Sequence, residues 1–182
     1  MSNLTVNQID LFDIKYRPNW HRYFTEISKV ISIRSGCIRR KIGAVLVKNN
    51  SIISTGYNNT VAGALNCFEG GCARCSSDMA SGEGYDNCIC IHAEANAIYN
   101  AVKNGKALKG STLYITDRPC KQCILACISS GIERIIYLID PVPVGMPLID
   151  DNMLDIINDN IEIYSFEGEE DECLELCSLY HG

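Results

Sequence analysis

The sequence predicts a three-layer α-β-α sandwich built on a five-stranded mixed sheet, and three observations carry that fold. Two β-branched runs, KIGAVLVK (41–48) and SIISTGY (51–57), are separated only by Asn49-Asn50, which reads as a tight hairpin. Downstream, helical and strand-like segments alternate, and alternation implies right-handed crossovers and parallel pairing over much of the sheet. The 182 residues are 47% hydrophobic and 21% charged, which suits one globular domain and excludes a disordered chain. With no internal repeat and no linker, the chain reads as a single domain over 1–182, its core over about 19–166 and an acidic tail over 167–182.

Residues 19–36 place Trp20, Tyr23, Phe24, Ile27, Val30 and Ile31 at amphipathic-helix spacing. The hairpin follows. Residues 58–90 are rich in Gly, Asn, Cys and Ser and have no period, and a loop that long inside a domain needs a stabiliser such as a metal. HAEANAIYNAVKNG (92–105) reads as a helix closed by Gly105, and STLYITD (111–117) as a strand. Pro119 then starts a helix that Gly131 ends, with Cys127 in its apolar run reading as a buried free thiol. RIIYLI (134–139) and IEIYSF (161–166) are strands flanking a helix at 153–159, and residues 169–180 read as a last short helix.

Sixteen Lys and Arg against 22 Asp and Glu give a net charge of −6, which argues against gripping long nucleic acid. The acids concentrate from residue 150 onward, where no Lys or Arg occurs, and read as a solvated face. Residues 33–48 are the reverse, with Arg34, Arg39, Arg40, Lys41 and Lys48 and no acid, enough for a local field that attracts a small phosphorylated ligand. No apolar stretch is long enough to span a membrane, and the first residues lack a secretory pattern, so a cytoplasmic location without membrane attachment is expected.

Eleven cysteines, an odd number, fit a reducing compartment and metal binding better than a disulfide scaffold. Cys120 and Cys123 stand three apart on the first turn of a helix and can share a zinc ion with His92 at the start of another. Three protein ligands leave the fourth position open, the arrangement of a catalytic site. Both helix N-termini would favour the thiolates and a bound hydroxide. Glu94, two residues beyond His92, is placed for proton transfer rather than ligation. A closed structural zinc knot would not account for Glu94. His-x-Glu followed by Pro-Cys-x-x-Cys is the signature of zinc nucleobase deaminases.

RSGCIRRKIGAVLVKNNSIISTGYNNT, NCFEGGCARC, CICIHAEANAI and LYITDRPCKQC together resemble deoxycytidylate (dCMP) deaminases of the cytidine-deaminase-like superfamily, from about Trp20 to Tyr137. The resemblance implies a single deaminase domain that hydrolyses dCMP to dUMP and ammonia, feeding thymidylate synthesis. The other enzymatic readings are deamination of dCTP, of deoxycytidine or cytidine, or of a base in RNA or DNA. A non-catalytic zinc module that binds a protein partner is the reading from another class. By position, Asn58 is similar to the family's sugar-binding asparagine, and the Ala93 backbone to the group that reads the pyrimidine carbonyl. Without the family, Asn58 reads as a turn residue and Ala93 as packing. Arg34 and the basic residues after it are candidates for the 5′-phosphate, with solvent or a neighbouring subunit as the alternative for Arg39 and Arg40. A homo-oligomer, dimer or hexamer, is also implied.

The sequence departs from the family at Gly56-Tyr57-Asn58-Asn59-Thr60-Val61, where a glycine and a proline are lost from a loop that binds dCTP in regulated relatives. The resemblance implies dCTP and dTTP as effectors, with Mg²⁺ accompanying such a nucleotide, and the altered loop leaves that control open. Asp117-Arg118 replaces residues more often apolar or aromatic, so Arg118 either reaches substrate phosphate or pairs with Asp117. Asp140-Pro141-Val142-Pro143 stands where relatives often place a tyrosine. In phage relatives a structural zinc takes ligands at positions aligning with Cys37, Cys67 and Cys90. Cys75 completes the set here, with Cys72 or Cys88 as alternatives, and two ions among the six cysteines as a further arrangement. Cys173, Cys177 and His181 share one helical spacing but read as packing or terminal residues.

Overall fold

The computed structural model describes residues 17–80, 83–84, 87–138, 157 and 159–166. Its strands are β1 (Gly43–Lys48), β2 (Ser51–Tyr57), β3 (Ser111–Ile115), β4 (Ile132–Leu138) and β5 (Glu162–Phe166). They form one sheet in the order β2-β1-β3-β4-β5. β1 is antiparallel to both β2 and β3, and the parallel pairing runs from β3 through β4 to β5. The hairpin turn follows from its two residues: Asn49 and Asn50 take φ 51° and 55°, the positive values a type I′ turn requires and asparagine tolerates.

Among the described residues, α1 (Trp20–Ser32), α3 (Ala93–Lys103) and α4 (Lys121–Ser129) pack on the sheet, and the one-turn α2 (Ala73–Ser76) lies in the loop between β2 and α3. The strand period of two sorts β1 between two cores. Val45 and Val47 meet Phe24 of α1 with Tyr114, Ile136 and Phe166. Ala44 and Leu46 face the other way, toward Ala97 and Ile98 of α3 and Ile124 and Cys127 of α4. Cys127 is fully buried there as a small apolar group.

Several boundaries differ from the sequence reading. α1 stops at Ser32 rather than 36, because Ser35 turns inward and its Oγ lies 2.7 Å from both the carbonyl and the side-chain oxygen of Asn58. β4 starts at Ile132, where Gly131 with φ 76° reverses the chain. The aperiodic stretch 58–90 contains a 3-10 turn at Cys67–Glu69 as well as α2. Of the helix expected at 153–159, Ile157 and Asp159 are helical and its other positions lie outside the described residues. Also outside them are residues 1–16, Asp140-Pro141-Val142-Pro143, the tail 167–182 with its expected helix, and Cys173, Cys177 and His181. Among the described residues no helix is long and apolar enough to cross a membrane.

α3 lies unusually close to β2, and this sets where its N-terminus points. Ser54 Oγ donates to the Ala97 carbonyl at 2.7 Å, Asn96 Nδ2 to the Tyr57 carbonyl at 2.8 Å, and Asn100 Nδ2 to the Thr55 carbonyl at 3.0 Å. Gly56 permits the approach, since a Cβ there would stand 2.3 Å from both Ala93 O and Ala97 N. Those atoms are helix backbone and cannot step aside singly. Gly56→Ala should therefore cost about 1–3 kcal/mol in urea unfolding, the usual range for overpacking. Turnover should fall with it, because His92 rides on the displaced helix start.

Candidate active site

Three elements converge at one end of the sheet. A pair of hydrogen bonds, Asn59 N–H to Ile91 O at 3.1 Å and Ile91 N–H to Asn59 O at 2.8 Å, fixes the chain entering α3. His92 is the N-cap of α3 and Cys120 the N-cap of α4, yet neither side chain caps its own helix. Both are thus free to face each other, and Cys123 joins them from the first turn of α4. His92 Nδ1 lies 3.5 Å from Cys120 Sγ and 3.5 Å from Cys123 Sγ. Zinc–sulfur bonds of about 2.3 Å and zinc–nitrogen bonds of about 2.0–2.1 Å put adjacent tetrahedral ligands about 3.5–3.6 Å apart. The donor set fits a zinc ion by chemistry and by spacing. Among the described residues no fourth Cys, His, Asp or Glu joins this group.

The electrostatics suit thiolate ligation. A hydrogen bond from Cys123 and the neighbouring His92 hold the Cys120 thiol down to about 4, against a smaller opposing effect of burial. Cys123 moves the other way, raised first by the hydrogen bond it gives Cys120 and then by burial. The hydrogen bond to Cys120 raises His92. Unpaired N–H groups at the starts of α3 and α4 add positive potential on the same side. Glu94 is only 3% exposed, and burial pushes its carboxyl up to about 7, with Cys123 hydrogen-bonded to it. A carboxyl in that range can both surrender and recover a proton near neutrality.

These groups open into a cavity of about 330 Å³, within the size range of small-ligand pockets. Its lining brings together His92, Glu94, Cys120, Asn58, Arg39, Arg40, Asp117 and Arg118 from the sequence reading, and adds Arg74. Asn58 is oriented unambiguously: its Oδ1 accepts from the Ile42 N–H at 2.8 Å and its Nδ2 donates to the Arg40 carbonyl at 2.9 Å. That uses one of the two Nδ2 hydrogens. Asp117 accepts from the Arg118 backbone N–H at 2.8 Å and forms an ion pair with Arg40, not with the Arg118 guanidinium. Arg39 donates to the carbonyls of Cys75, Ser77 and Met79, and Arg74 to that of Glu83. The Arg118 guanidinium has no hydrogen-bond partner among the described residues. Arg34 lies elsewhere, exposed just past α1 and off the cavity wall. Ala93 is fully buried as the first residue of α3, where its N–H has no intrahelical acceptor. Sequence reasoning overlooked Arg74. The signal available was a cation inside Cys72-Ala73-Arg74-Cys75, between two candidate ligands.

A three-donor metal centre beside a buried carboxyl, on a mixed sheet with helices on both faces, is the type of site found in zinc hydrolases. Residues 18–139 match the cytidine and deoxycytidylate deaminase zinc-binding region, and the chain belongs to that family. It is 41% identical over 123 residues to the deoxycytidylate deaminase of Schizosaccharomyces pombe, covering 68% of this chain and 38% of that one. It is 36% identical over 144 residues to the Saccharomyces cerevisiae enzyme of the same name, covering 75% and 45%. The chain therefore spans less than half the length of these two fungal relatives. With the deoxycytidylate deaminase of Mycobacterium phage D29 it shares 40% identity over 126 residues, 66% of this chain and 95% of the phage protein. Among solved structures, the dCMP deaminase of cyanophage S-TIM5 in complex with dCMP and dUMP superposes with a TM-score of 0.59 at 23% identity, covering 83% and 99%. That likeness establishes the cytidine deaminase-like fold.

Proposed function

We propose that this chain is a single deaminase domain that hydrolyses dCMP to dUMP and ammonia. The observation that carries the reading is the convergence of His92, Cys120 and Cys123 with the buried Glu94 at the floor of a cavity walled by arginines. The names of the fungal and phage relatives support the substrate. Zinc held by His92, Cys120 and Cys123 supplies a Lewis acid that makes water nucleophilic near neutral pH. Glu94 takes a proton from the attacking water and passes it to the ring nitrogen beside C4, then takes the second proton from the hydroxyl now on C4 and delivers it to the departing amine. One water is consumed and one ammonia leaves, so atoms and charge balance.

The remaining residues orient the substrate. The unused hydrogen of Asn58 Nδ2 is available to a sugar oxygen, and the Ala93 N–H to the pyrimidine carbonyl. Arg118, whose guanidinium is uncommitted, is the cavity cation for the 5′-phosphate through charge-assisted hydrogen bonds. Arg40 is neutralised by Asp117 and holds the wall. Structural zinc in the cysteine cluster, a homo-oligomeric assembly and a cytoplasmic location complete the reading.

Turnover of dCMP, dCTP, deoxycytidine and single-stranded DNA, compared side by side, tests the proposal. The expected result is preference for dCMP, with Arg118→Ala raising KM for dCMP and leaving deoxycytidine unaffected. Equal activity on deoxycytidine and dCMP would contradict it.

A further inference from the structure

The stretch 58–90 is held together by sulfur. Cys37, Cys67, Cys72 and Cys75 are buried, and the half-buried Cys88 and Cys90 pack against them. Two four-cysteine groups have all their sulfurs within 4.8 Å of one another: Cys37, Cys67, Cys75 and Cys90, and Cys72, Cys75, Cys88 and Cys90. They are not separate sites, because Cys75 and Cys90 belong to both. Two tetrahedra that share an edge need six corners, two common and two private to each, and that is the partition seen here.

We propose that these six cysteines hold two zinc ions in one cluster, with the Cys75 and Cys90 thiolates bridging. Zinc–sulfur bonds of about 2.3 Å give a tetrahedral edge of about 3.8 Å. Cys37–Cys75 at 3.9 Å, Cys72–Cys88 at 3.9 Å and Cys75–Cys88 at 4.0 Å match that edge. Cys67–Cys90 at 2.9 Å is shorter, so metal binding has to part these two sulfurs by about 0.9 Å. A single ion on the first group would leave Cys72 and Cys88 facing each other at an edge distance for no purpose. Two Zn²⁺ and six thiolates carry a net charge of −2, and Arg39, Arg40 and Arg74 stand on the same cavity wall. The cluster thereby becomes part of the active-site wall. Cys75, Cys88 and Cys90 line it, and the Cys75 carbonyl holds Arg39 Nε at 3.0 Å.

The inference stands independently of the catalytic reading, and its test separates the two. Full-length protein carrying His92→Ala, Cys120→Ser and Cys123→Ser lacks the catalytic donors, and elemental analysis should find two zinc ions per chain. One or none would overturn the cluster. Wild-type protein should hold three, and its zinc-edge X-ray absorption should show a metal–metal vector of roughly 3 Å, the separation across a shared thiolate edge. Two ions without that vector would also overturn it, whether or not the triple variant folds. Cys88→Ser should lower the count by one, whereas a single ion on Cys37, Cys67, Cys75 and Cys90 predicts no change.

Discussion

Replacing Glu94 by glutamine should lower turnover on dCMP by about 10²–10⁴-fold, the range general acid–base catalysis supplies, while zinc content stays unchanged. The amide fills the same volume, but it cannot ferry a proton. Stability gives a second readout with a definite sign. Burial raises the folded-state value to about 7, so the native protein holds a proton that the unfolded chain releases from the ordinary carboxyl range upward. Wild-type stability contributed by this group is therefore lost as pH rises through that interval. Glutamine escapes the loss, and the melting temperature of Glu94→Gln at pH 8 should equal or exceed that of wild type. A glutamine variant with full turnover would refute the proton-transfer role of Glu94, whereas the absence of turnover in wild type and variant alike would favour the non-catalytic zinc module.

Removing the metal should have an effect at least as large. Cys120→Ala deletes a ligand and the N-cap sulfur of α4, and it should cost one zinc ion per chain and bring activity to background. Chelation of wild-type protein should do the same. Recovery should follow Zn²⁺ and not Mg²⁺, because two sulfurs and an imidazole are soft donors that a hard cation does not prefer. Thermal stability should drop as well, since an ion that binds only the native state contributes its binding free energy to folding. Activity that persisted in zinc-free protein would refute the assigned roles of His92, Cys120 and Cys123.

The parts of the fold and site set by local chemistry were legible in the sequence. Asn49-Asn50 encodes its turn through two residues that accept positive φ, and the strand alternation of β1 encodes its two cores. His92, Glu94, Cys120 and Cys123 stand within one turn of two helix starts, so spacing alone placed them on compatible faces. The cavity wall is different, because it depends on where an aperiodic loop travels. The basic run points to Arg34 and the cations after it, and of these Arg39 and Arg40 reach the cavity wall with Arg118, whereas Arg34 stays off it just past α1 and Arg74 joins from the loop. Arg74 sits on a one-turn helix with no periodic signal of its own. The sharing of Cys75 and Cys90 between two groups is likewise a fact of three dimensions, since the spacing of the cysteines permits several partitions.

The most direct measurement is anomalous diffraction at the zinc edge from crystals grown with a dCMP analogue. An ion is expected at bonding distance from His92 Nδ1, Cys120 Sγ and Cys123 Sγ, with its fourth corner turned to the pyrimidine C4 and the Glu94 carboxylate beside it. An ion enclosed by a fourth side chain, or Glu94 turned away from the seated analogue, would contradict the account.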